Sequence, residues 1–192
     1  MGGATEKRES SVAWFRLAEL ISRGEKEKAL NLYRLLSHSF DDRAYALQVE
    51  GDILWSFEDN IALDKYKQAA FLYKKEQKVT AAMSVYEHLL TLQPNNYEVI
   101  GSLLIVYIKL DWLEKVKNRF DLAKELFKSN KISTDQMWEV VQCMVDTAIE
   151  EAPRKLQECG IKNIVKLIQK IVPELKDKTK HYCLQRELEV NS

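Results

Sequence analysis

Proline and glycine are scarce in this chain of 192 residues, with three and six copies. Hairpin turns lean on glycine, so a fold built from many β-hairpins is disfavoured. The three cysteines, Cys143, Cys159 and Cys183, lie far apart and form no Cys-x-x-Cys. An odd, scattered set makes no disulfide framework and suits a reducing compartment, so a cytoplasmic location is expected. The three histidines, His38, His88 and His181, have no neighbours at metal-ligand spacing. Net charge is also lacking, with 29 Lys and Arg against 29 Asp and Glu. The chain as a whole therefore offers no field that would collect nucleic acid or an anionic surface. The longest apolar run, VIGSLLIVYI at residues 99–108, is too short to span a bilayer and reads as a buried helix. The opening stretch, MGGATEKRESS, has no apolar core of the kind a secretory signal carries.

Catalytic constellations are missing too. The sequence has no glycine-rich phosphate loop, no Gly-x-Ser-x-Gly and no His-Glu-x-x-His. The acidic pairs Asp41-Asp42 and Glu150-Glu151 fall at helix joints, where caps and solvated charge account for them. A non-enzymatic chain without a cofactor or metal is the expectation.

What is abundant is Ala, Leu, Glu and Lys, the residues that suit helices. Helical periodicity runs almost without a break from about residue 10, divided by polar joints near residues 24, 41, 59, 77, 95, 112, 132, 152, 160 and 173. Roughly ten helices follow. Their lengths invite a search for repeats. Tyr73, Ala82, Tyr86 and Leu89 recur at a constant offset as Tyr107, Val116, Phe120 and Ala123. Upstream, Ala18, Ala29, Tyr33 and Leu36 recur at nearly the same offset as Gly51, Ala62, Tyr66 and Ala69. A small residue lets two helices approach closely, and a large aromatic one turn on fills the space towards a neighbour. In TAAMSVYEHLLTLQPNN, residues 80–96, Pro94 then ends the helix and Asn95 and Asn96 suit the turn.

This pattern resembles the tetratricopeptide repeat, a helix-turn-helix unit of about 34 residues. Trp14, Leu17, Ala18 and Ile21 stand at the positions of its first helix, and Ala82, Tyr86, Leu89 and Pro94 at those of its second. The resemblance implies an all-α solenoid of antiparallel helix pairs over residues 10–130, in about four units, after a flexible tail at 1–9. Residues 59–77 match twice, once as the second helix of unit two and once as the first helix of unit three. A shared long helix, apolar over a wide arc, with a local change of stacking, is the expectation there.

Residues 131–189 lack the repeat signature and are expected to form a capping helical segment. Ser133 and Gln136 have capping-box spacing, and Met137, Val140, Val141, Met144, Val145 and Ala148 share one apolar face. Between residues 153 and 186 nine basic residues face three acidic ones, with Lys162, Lys166 and Lys170 at four-residue spacing.

The resemblance also implies where a ligand would lie, on the concave face lined by first helices. The corresponding residues are Phe15, Glu19, Arg23, Gln48, Asp52, Trp55, Lys67, Phe71 and Lys74, with Ile105 and Ile108 in unit four. Family members that clamp the carboxylate tails of heat-shock chaperones need Lys, Asn and Arg at set positions. Those positions hold Phe15, Glu19, Val49, Asp64 and Gln68, so that ligand is excluded. The implied function is protein–protein interaction, as an adaptor, scaffold or partner chaperone, with a peptide that carries an apolar anchor and a basic residue. The alternative is an RNA-associated helical repeat that uses the basic C-terminal helices.

Overall fold

The computed structural model describes residues 3–151 and 175–190, and every structural statement below concerns these residues. They form α1 (Gly3–Ser22), α2 (Lys26–Ser37), α3 (Arg43–Ser56), α4 (Ile61–Lys75), α5 (Val79–Leu92), α6 (Tyr97–Lys109), α7 (Leu113–Lys128), α8 (Thr134–Glu151) and a last helix, here α9 (Lys176–Val190). No strand occurs among the described residues. Helix α1 begins at Gly3, inside the stretch read as a tail.

Local chemistry explains where the helices begin. Asp42 caps α3 by accepting from the Tyr45 amide at 2.9 Å, and Asn96 caps α6 by accepting from the Val99 amide at 3.2 Å. Ser133 and Gln136 make the reciprocal capping box that opens α8, at 3.2 and 2.8 Å.

Five helices, α1, α3, α4, α6 and α7, end by one device. Gly24, Glu58, Gln77, Asp111 and Asn130 are left-handed, with φ of 73°, 56°, 59°, 55° and 56°. In each case the next amide reaches back across the last turn, as from Asp59 to the Leu54 carbonyl and from Trp112 to the Tyr107 carbonyl. This is the Schellman closure, which satisfies carbonyls that a helix end would leave bare. Gly24 and Glu58 stand at the same offset in the chain as Gln77 and Asp111, and that offset is the repeat length. The step from Glu58 to Gln77 is little more than half of it, so the two series are out of phase across α4. The break coincides with the helix that matches the repeat twice.

The chain divides into two compact units, Met1–Leu89 and Leu90–Ser192, and the division falls within α5. In the first unit α1 packs on α2, α2 on α3, and α3 most extensively on α4. Trp14 stacks on Phe40 with ring centroids 5.9 Å apart. Tyr33 is buried and its hydroxyl donates to the Ala46 carbonyl, tying α2 to α3. Lys26 pairs with Asp59 at 2.5 Å and Lys78 with Asp42 at 2.8 Å, so charged pairs also link the joints. Ala18, at the small-residue position of unit one, is exposed, so it does not serve the close helix approach that its place in the repeat implied. Helix α1 turns Trp14, Leu17 and Ile21 inwards, and Ala18 lies beside that stripe.

The α3/α4 contact is built on an absent side chain. Gly51 is buried, and a Cβ added there would stand 2.7 Å from Cε1 of Tyr66. The Tyr66 ring therefore lies directly on the backbone of α3. Its hydroxyl donates to Asp52 at 2.8 Å, and the His88 ring of α5 meets it edge to face at 5.0 Å. Ala62, Tyr66, Ala69, Ala70 and Tyr73 are all buried, so α4 is covered over the wide arc that its double match implied.

In the second unit α6 packs on both α7 and α8. Eight of its residues, Val99 to Gly101, Leu103, Leu104 and Val106 to Ile108, are buried. A helix apolar nearly all round needs such cover. Met137, Val140, Val141, Met144 and Val145 of α8 are buried as their spacing predicted; Ala148 has no described side chain. Helix α9 runs parallel to α8. Trp138 meets Lys178 (4.4 Å to the ring centroid) and Tyr182, while Asp146 accepts from the Tyr182 hydroxyl at 2.9 Å and from Arg186 Nε at 3.0 Å. Pairing residues that ascend together on both helices fixes that direction.

Candidate functional site

Helices α3 and α4 leave an open groove of about 350 Å3 on one side of their contact. It is lined by Arg43 and Leu47 of α3 and by Lys67, Gln68, Phe71 and Leu72 of α4. The spacing explains the set. Arg43 and Leu47 are one turn apart, and so are Lys67 and Phe71 and, beside them, Gln68 and Leu72. The same two helices use other faces to pack, through Gly51 on Tyr66 and through a 3.0 Å ion pair between Glu50 and Lys65.

Phe71 is 58% exposed at this groove. It is two residues from buried Ala69 and Tyr73 on a helix whose other aromatics are inside. Phe15 is 75% and Trp55 38% exposed, so neither is fully buried between helices.

The residues singled out in the sequence thus fall into different settings. Lys67 and Phe71 come together in the groove. Glu19 and Arg23 come together as an exposed ion pair one turn apart on α1, a kind of contact that adds little to stability. Gln48 and Asp52 are engaged by α4. Asp52 accepts from Tyr66, and the Tyr73 hydroxyl approaches Gln48 at a long 3.4 Å. None of Phe15, Glu19, Arg23, Gln48, Asp52 and Trp55 lines the groove. In the second unit Ile108 is buried and Ile105 half-buried, so Ile108 presents no side chain to a ligand.

Arg43, Leu47 and Leu72 had no place in the repeat-based reading, which had assigned Gln68 to a clamp position. The reading paired α4 with two neighbours at once and did not specify which side of α3 would stay open. The signal was present only as two one-turn pairs, Arg43/Leu47 and Lys67/Phe71, with no inward role.

Electrostatics around the groove follow from local pairing. The Lys78 ammonium and the Tyr45 amide hold Asp42 below the usual carboxylate range. Burial, and then the hydrogen bond to Asp52, push the Tyr66 phenol up. Both groups are engaged in local pairing, Asp42 with Lys78 and Tyr66 with Asp52. No cluster of three or more His, Cys, Asp or Glu able to hold a metal occurs among the described residues. No helix among them is long and apolar enough to cross a membrane. Lys162, Lys166 and Lys170, on which the RNA alternative rests, lie outside the described residues.

No protein-family model matches the chain, and no curated protein is significantly similar to it in sequence.

Proposed function

We propose that this chain is a non-catalytic protein-interaction module of the tetratricopeptide type, an adaptor, scaffold or partner chaperone, whose first unit binds a short segment of another protein. The observation that carries the reading is the exposed Phe71 beside Leu47 and Leu72 in the α3/α4 groove. A large aromatic held on a rigid helix, with apolar neighbours and a polar edge, is the usual composition of an energetic centre in a protein interface. Exposed Phe15 and Trp55 supply further anchors on the same unit. Support for the tetratricopeptide type comes from the buried Tyr33, Tyr66, Tyr86 and Phe120 and from the two pairs of caps that share the offset of the repeat.

The test is binding of the purified full chain to an array of short random peptides. Wild type should bind a minority of the array, and Phe71→Ala should abolish most of those signals with an unchanged circular dichroism spectrum. Trp55→Ala and Phe15→Ala report whether their surfaces belong to the same interface. Binding that is insensitive to all three substitutions would overturn the reading.

A further inference from the structure

We draw no further inference here: the strongest candidate, the groove between α3 and α4 around the exposed Phe71, belongs to the site already described, and nothing in the structure shows what covers it.

Discussion

Replacing Gly51 by Ala sets two known effects against each other. In a helix interior Ala is favoured over Gly by about 1 kcal/mol, because Gly loses more backbone entropy on folding. Propensity alone therefore predicts a more stable protein. The structure predicts the opposite. The new Cβ would stand 2.7, 2.9 and 3.1 Å from three carbons of the Tyr66 ring, where carbon atoms normally rest at about 3.5–4.0 Å. The ring cannot retreat freely. Tyr66 is 1% exposed, its hydroxyl is held by Asp52, and the His88 ring meets it from α5. Overpacking of a confined core costs about 1–3 kcal/mol, and the confinement here argues for the upper part of that range. Subtracting the propensity gain leaves a net loss of about 2 kcal/mol. Urea titration followed by circular dichroism would read it. A double-mutant cycle separates the two effects. In a Tyr66→Leu background, which removes most of the ring, Gly51→Ala should become neutral or stabilising by up to about 1 kcal/mol. A Gly51→Ala chain that is more stable than wild type would refute the reasoning, because it would mean that the ring does not lie on the α3 backbone.

Tyr86→Ala and Phe120→Ala should each cost about 3–4 kcal/mol by denaturant titration, since both side chains are buried at the recurring aromatic position; a loss under about 1 kcal/mol would mean that the recurrence is not a packing register. Gln77→Gly and Asp111→Gly should each raise stability by about 1 kcal/mol in thermal melts, because both residues hold a left-handed φ that glycine adopts without strain; a drop in either variant would show that the side chain, not the backbone, holds the cap. Alkaline stability should follow the phenols: Tyr33 and Tyr66 are raised mainly by burial, so the fold holds their protonated forms. That stability is fully present below the ordinary tyrosine value of about 10 and is lost as pH rises above it. Absorbance titration should show these phenols ionising together with unfolding, and Tyr66→Phe should remove part of the steepness.

Much of the fold could be read because its signals are local. The joints near residues 24, 41, 59, 77, 95, 112 and 132 all separate helices in the structure. The Ser133/Gln136 box and the turn after Pro94 depend on neighbours a few residues away, and both occur. The buried aromatics were legible for a related reason. Tyr33, Tyr66, Tyr86 and Phe120 each follow a small or β-branched residue by one turn, and a helix fixes such pairs on one face whatever packs against it. The candidate site was less legible. Phe71 and Lys67 were named because the resemblance to the repeat puts their positions on its ligand-facing side, but Arg43 and Leu47 were missed.

By itself, then, the sequence determined most of the helix joints and the recurring aromatics that are buried, though not the start of α1, the exposure of Ala18 or the burial of Ile108. The joints and the aromatics depend on backbone propensity, capping and periodicity within one segment. Only the tertiary structure decided which neighbour each face of α4 would meet. Its arc from Ala62 to Tyr73 carries enough apolar surface for two partners, and a period of one turn names the face without naming what covers it. The ring of Tyr66 settled against the bare backbone at Gly51, the α3/α4 pair formed around that contact, and the groove lined by Arg43, Lys67 and Phe71 is the side the pairing left open. The parallel course of α9 along α8 was decided in the same way, since Trp138, Asp146, Tyr182 and Arg186 are far apart in the chain and only packing brings them together.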